Sequence, residues 1–217
     1  MSLLITLRRN IESSPFRRQL QRLCSLPVSG DLVLCSGYIW EPESGYSILG
    51  DDLLDYISKG CGGHTLTTIA GKLQKSGNID WLKHYRNFVV RLQNAGITVA
   101  PYIVPERNWH AKIAIKLDVL GQPTAALVGS SNLTGPAYRE GWRSWNYECD
   151  VTIWRSGLGF ETHLNPPGVP IKYPFEEIAC ILDPATLQPS EEERLQTLYR
   201  DVLREKEGFK KLAEYEG

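Results

Sequence analysis

The chain has 217 residues, of which 42% are hydrophobic and 23% charged. That is ordinary globular usage, and it excludes a disordered, collagenous or coiled-coil chain. Lys and Arg number 24 against 25 Asp and Glu, a formal net charge of −1. A protein that coats nucleic acid over its whole surface is strongly basic, so that class is excluded, whereas an enzyme with one local basic cleft is not.

A chain of this length can bury a full core without disulfides or a structural metal. The five cysteines are odd in number and lack the close pairing of a zinc knuckle or a redox Cys-x-x-Cys, so they read as reduced thiols of a cytoplasmic protein. The opening residues place Arg8 and Arg9 after a short apolar run, the reverse of a signal peptide. No stretch reaches the roughly 20 apolar residues of a membrane span. The expectation is a cytoplasmic protein without a membrane partner. It reads as one domain over residues 1–217, its core at about 30–155, with helical N- and C-terminal extensions.

In residues 5–24 the apolar positions are Ile5, Leu7, Ile11, Phe16, Leu20 and Leu23, with Pro15 interrupting. Arg8, Arg9, Arg17, Arg18 and Arg22 face one acid, Glu12. This reads as a solvated helical face, the alternative being a basic arm that meets phosphates. Residues 32–39 read as a buried strand, 41–50 as a loop and 51–59 as a short helix. The Gly60-Cys-Gly-Gly-His64 loop leads to a strand at 65–70. Asn78 is placed to cap a helix whose apolar positions are Trp81, Leu82, Tyr85, Phe88, Val89 and Leu92, stopping at Asn94-Ala-Gly96. Residues 97–104 form a third strand, and this alternation predicts an α/β sheet with parallel pairs. Beyond residue 108, strands are predicted at 109–117, 124–128 and 147–154, then a Gly/Pro-rich loop over 156–175. Leu195, Leu198, Tyr199, Val202 and Leu203 fall at the spacing of a surface helix.

Chemistry concentrates between His110 and Glu148. Placed on a strand, His110 and Lys112 share a face. An imidazole attacks phosphorus or moves a proton at neutral pH, and a nearby lysine neutralises phosphate oxygens. Gly129-Ser130-Ser131-Asn132 supplies backbone, hydroxyl and amide donors at a strand end. Asn146-Tyr147-Glu148 brings a carboxylate able to fix an imidazole tautomer.

His-x-Lys, then Gly-Ser-x-Asn, then a downstream Glu resembles the signature of the phospholipase D superfamily. The resemblance is sharp over His110–Glu148 and follows element order over residues 30–155. It implies a phospholipase D-like α/β fold, a mixed sheet flanked by helices on both faces. It implies that His110 is the nucleophile and forms a phosphohistidine. Lys112 and Asn132 would hold the non-bridging oxygens, Ser130 would support them, and Glu148 would orient His110. Trp109, Ser131, Arg139, Arg143 and Asn146 are the expected substrate-binding residues, and no metal or other cofactor is implied. Where the family carries an Asp, at position 117, this chain has Leu117 followed by Asp118, a departure that speaks against a phospholipid enzyme more than against catalysis.

Family enzymes bring two His-x-Lys motifs to one site. None of His64, His84 or His163 repeats the motif, so the single copy implies a homodimer with the site across its two-fold axis. The reading is a metal-independent nuclease acting on DNA or RNA, with a protein partner in a restriction or phage-defence system as the setting by analogy. The alternatives are a lipid hydrolase or transphosphatidylase, and a non-catalytic nucleic-acid-binding subunit of a larger complex.

Overall fold

The residues that the computed structural model describes are 2–8, 11–71, 81–104, 109–146, 148–158, 177–181, 200 and 210–211. In chain order they form β1 (Ser2–Leu7), α1 (Pro15–Cys24), β2 (Leu32–Ser36), α2 (Leu54–Cys61), β3 (Thr65–Ala70), α3 (Trp81–Asn94) and β4 (Thr98–Ile103). Then come β5 (Ile113–Leu117), β6 (Pro123–Gly129), the single turn α4 (Gly135–Tyr138), β7 (Cys149–Trp154), β8 (Glu177–Ile181) and β9 (Lys210–Lys211). The predicted short helix begins as a π-turn over Leu49–Leu53 that runs directly into α2.

All the described strands join one sheet in the order β8-β1-β7-β6-β5-β2-β3-β4-β9. β2, β3 and β4 are parallel, as the strand–helix alternation predicts. β5 then enters antiparallel to β2, and β5, β6, β7 and β1 continue antiparallel. As a result the C-terminal ends of β2, β3, β4 and β6 share one rim with the starts of β5 and β7. The carboxyl ends of parallel strands are where open α/β sheets bind ligands.

β2 is buried throughout, as a central strand covered on both faces must be. Its side chains alternate: Leu32 and Leu34 enter the larger core, Val33 and Cys35 the smaller one behind the sheet. The larger core takes Phe16, Leu20 and Leu23 of α1, Ile57 of α2 and the apolar stripe of α3, so the three longer described helices pack on one face. A helix on the second face is not among the described residues.

The N-terminal extension is not wholly helical. Ser2–Leu7 is a strand held between β7 and β8. Pro15 starts α1 instead of interrupting it: Ser14 Oγ accepts from the Arg17 backbone N–H at 3.1 Å, and proline's missing N–H costs nothing in the first turn. Arg17 and Arg18 are also not simply solvated, and Arg9 lies outside the described residues. Arg17 pairs with Asp51 and Asp52 at 2.9 and 2.5 Å, and Arg18 reaches Glu140 at 3.5 Å. The Asn78 cap, most of the 156–175 loop and the helical spacing at 195–203 lie outside the described residues, apart from residue 200 and the 156–158 turn. Among the described residues no helix is long and apolar enough to cross a membrane.

Two buried cations tie distant elements together. Lys116 on β5 donates to the carbonyls of Gly30 and Gly60 at 2.8 and 2.5 Å, anchoring the entry to β2 and the end of α2. Arg8, which follows β1 on the rim, donates to the carbonyls of Pro136, Ala137 and Arg139 at 2.7, 2.9 and 2.7 Å. Those carbonyls belong to the α4 turn beside the candidate site. Replacing Arg8→Met keeps much of the bulk and strands these acceptors. Thermal or urea unfolding is expected to show a loss of about 3 kcal/mol, and unchanged stability would contradict this role.

Candidate active site

His110 and Lys112 lie on the rim just before β5. The strand starts at Ile113, so the expected strand position of His110 is corrected. The cause is a close approach of two chain segments. A Cβ on Gly37 would collide with the Trp109 carbonyl and crowd the His110 Cα, so glycine lets the end of β2 lie directly against residues 109–110. The Trp109 N–H donates to the Gly71 carbonyl at 3.1 Å. Ladder pairing resumes at Lys112, whose carbonyl accepts from the Gly129 N–H at 3.1 Å.

The shared face survives this change. Lys112 Nζ lies 3.2 Å from His110 Nδ1 and donates to the His110 carbonyl at 2.6 Å. An ammonium has no acceptor, so Nδ1 is the accepting nitrogen and the neutral ring carries its proton on Nε2. His110 is exposed and Lys112 half-buried. Burial pushes the Lys112 ammonium below its usual range, and the charge of Glu148 partly offsets this.

The turn after β6 is held by two carboxylates. Ser130 Oγ donates to Glu148 Oε2 in a short contact and accepts from the Cys149 N–H at 3.0 Å. Asn146 Nδ2 donates to Glu148 Oε1 at 3.2 Å. Glu148 thus braces Ser130 and Asn146, and among the described residues it makes no hydrogen bond to His110; its expected role as orienter of that ring within one chain is corrected. Ser131 is 1% exposed, so it is not a substrate contact. Its Oγ and N–H both donate to Asp150, at 2.7 and 3.3 Å. A Cβ on Gly129 would strike the Asp150 carboxylate, so the glycine of the motif makes room for this acid.

Asn132 is oriented from below. Its Oδ1 accepts from the Tyr38 N–H at 3.2 Å and from Ser36 Oγ at 3.3 Å. Among the described residues nothing else is seen to engage its amide, which leaves the two Nδ2 N–H donors for a ligand. The site therefore offers an exposed imidazole, an ammonium beside it and an aligned amide, the complement of a phosphodiester's nucleophile and oxygen-binding needs.

Of the peripheral candidates, Arg139 lies over the neighbouring rings of Tyr46 and Trp142, and Asn146 joins Asn132 in lining the adjoining groove. Trp109 is half-buried behind His110, and Arg143 is exposed. Asp118 caps the β5–β6 turn, accepting from the Leu120 and Gln122 N–H groups, each at 2.9 Å. The residues that sequence reasoning missed are Ser36, Gly37, Tyr38 and Asp150. Asp150 had a visible signal, since an acid two positions beyond Glu148 in a strand shares its face.

Among solved structures the chain is similar to NucT from Helicobacter pylori, with 13% identity and a TM-score of 0.41 over 69% of this chain and 84% of that one. It is similar to phosphatidylserine synthase from Haemophilus influenzae Rd KW20, with 14% identity and a TM-score of 0.48 over 95% of this chain and 46% of that one. It is also similar to yeast tyrosyl-DNA phosphodiesterase, with 12% identity and a TM-score of 0.37 over 69% of this chain and 31% of that one. The chain thus spans less than half of the length of the latter two. No family model and no curated protein matches it. Identity this low leaves the site's own geometry to carry the functional reading.

Asp150 yields a pH test. Burial raises its carboxyl from the ordinary range to about 6, opposed by the Ser131 hydrogen bonds and aided by the charge of Glu148. The stability that this proton contributes is full below the ordinary aspartate range and is lost as pH rises through about 6. Asp150→Asn removes that loss. Between pH 4 and 7 the stability of the variant relative to wild type is expected to rise by on the order of 2–3 kcal/mol, read from unfolding midpoints. A difference that stays flat with pH would contradict the assignment.

Proposed function

We propose that the chain is a phospholipase D-superfamily phosphodiesterase that hydrolyses nucleic acid without a metal, through a phosphohistidine at His110. The observation that carries this reading is Lys112 Nζ at 3.2 Å from His110 Nδ1, with Asn132 pinned by its own Oδ1 across the same rim. Entry of a phosphate draws Lys112 onto a non-bridging oxygen and frees the ring from its present contact. His110 attacks phosphorus, the P–O bond to the leaving strand breaks, and the leaving oxygen takes a proton from His110 of the partner subunit. That second imidazole then deprotonates water, whose oxygen bonds to phosphorus as the P–N bond breaks, releasing the phosphate end of the strand and returning both imidazoles to their starting states. Lys112 and Asn132 stabilise the oxygens as charge builds on them, which is the work a cation performs elsewhere.

One chain supplies one such imidazole, so the active unit is a homodimer. In the proposed dimer the present Lys112–His110 contact is replaced, and the second chain provides the acid. The whole chain acts as a single domain, and a cytoplasmic restriction or phage-defence role with a protein partner is the setting that fits.

Nicking of plasmid, single-stranded DNA and RNA in EDTA tests the reading. Activity is expected to persist in EDTA and to fall about 10³-fold or more in His110→Ala, with the circular dichroism spectrum unchanged. A requirement for added magnesium would contradict the mechanism, and cleavage of phosphatidyl lipids alone would contradict the substrate class. Sedimentation is expected to give a dimer; a fully active monomer would contradict the shared site.

A further inference from the structure

The rim beside Asn132 holds more than the reacting groups. A groove of about 640 Å³ opens there, walled by the rings of Tyr38, Trp40, Tyr46 and Trp142. That volume falls within the roughly 300–1,000 Å³ of small-molecule sites. The walls are braced. The Trp40 N–H donates to the Leu133 carbonyl at 2.9 Å, which ties this wall to the Asn132 turn. The Trp40 ring stacks on His84 of α3, centroids 3.9 Å apart and planes 28° from parallel. On the other side the Arg139 guanidinium lies 4.8 Å from the Tyr46 ring centre and 5.4 Å from that of Trp142. A Cβ on Gly135 would run into the Trp142 ring, so this wall is seated against α4. Arg8 holds the α4 turn in turn.

We infer that this groove seats an unpaired nucleobase, stacked on the aromatic walls while the phosphate of the same strand sits at Lys112 and Asn132. The inference rests on the phosphodiesterase reading for the phosphate, and on the groove alone for the base. Asn132 belongs to both, which sets the base seat beside the phosphate seat. The lining contains no Leu, Ile, Val, Met or Phe. An acyl chain therefore finds only Pro42 and Pro136 as aliphatic cover, whereas a planar heterocycle meets rings for its faces and Asn146 and Thr134 for its edges. Arg139 adds a cation for an adjoining phosphate. In duplex nucleic acid both faces of a base are covered by its neighbours. The occupant is therefore a base of a single strand or one flipped out of a duplex.

Fluorescence anisotropy on the full-length His110→Ala chain compares a labelled single-stranded oligonucleotide with an abasic strand carrying the same number of phosphates. The base-bearing strand is expected to bind about tenfold or more tightly. Trp142→Leu and Trp40→Leu are expected to bring that ratio towards one, while Trp142→Phe keeps most of it. Equal affinity for the two strands overturns the inference. A ratio unchanged in both folded leucine variants also overturns it, as does binding to phosphatidylglycerol vesicles with no preference for bases. Cleavage assays on the wild-type chain separate the two readings. Cleavage of base-bearing and abasic strands alike keeps the phosphodiesterase reading and overturns the base seat. A base preference that depends on Trp142, in a chain that cleaves neither strand, keeps the base seat and removes the enzyme.

Discussion

The antiparallel entry of β5 beside β2 is the constraint on which the site depends. Had β5 continued the parallel run of β2, β3 and β4, its start would lie at the opposite edge of the sheet from Ser36 and Tyr38. Reversed, it delivers Trp109, His110 and Lys112 to the carboxyl ends of those strands. The following hairpins then bring Gly129 up and Asp150 down onto the same rim. Gly37 and Gly129 are the two points where this convergence becomes tight, one against the Trp109 backbone and one against a buried carboxylate. A side chain at either would force the segments apart and separate imidazole, ammonium and amide.

The rim is assembled at an energetic cost that the core must offset. Asp150 and Arg8 are both buried close to it, and each is satisfied by several hydrogen bonds to backbone or hydroxyl groups. A buried charge without such partners would cost several kcal/mol. These groups act through the turns they hold: Asp150 the Gly129–Asn132 turn, Arg8 the α4 turn. They fix where Asn132 and the aromatic groove sit without touching a substrate themselves. Division of labour of this kind leaves the exposed His110 and the half-buried Lys112 free to change contacts when phosphate arrives in the proposed reaction.

Much of the fold was legible where the signal is local. The stripe of α3, the strand at 65–70 and the parallel first half follow from periodicity alone, and the His-x-Lys, Gly-Ser-x-Asn and Glu motifs lie on one rim as their order implies. What escaped depends on partners far away in the chain. Ser2–Leu7 is a strand because β7 and β8 flank it, more than 140 positions on, and nothing in its six residues says so. Ser131 and Ser130 look alike in sequence, yet the alternation of the turn sends one to Asp150 and the other to the rim. Glu148 reads as a partner for His110, but Ser130 and Asn146 reach it first within one chain. The groove joins rings from residues 38–46 with residues 134–146, and no short window contains both.

In the proposed mechanism each chain supplies one imidazole of a pair, and so half of the proposed active site. With a net charge of −1 over the whole chain, the proposed site relies on local cations, Lys112 beside His110 and Arg139 beside the groove. The central claim is that His110 bonds to phosphorus, and intact-mass spectrometry of an alkaline-quenched single turnover in EDTA tests it directly. The account predicts a nucleotide adduct that maps to the peptide containing His110, survives alkali, is lost in acid and is absent from His110→Ala. Turnover under the same conditions with no histidine adduct, or with the adduct on another residue, would contradict it.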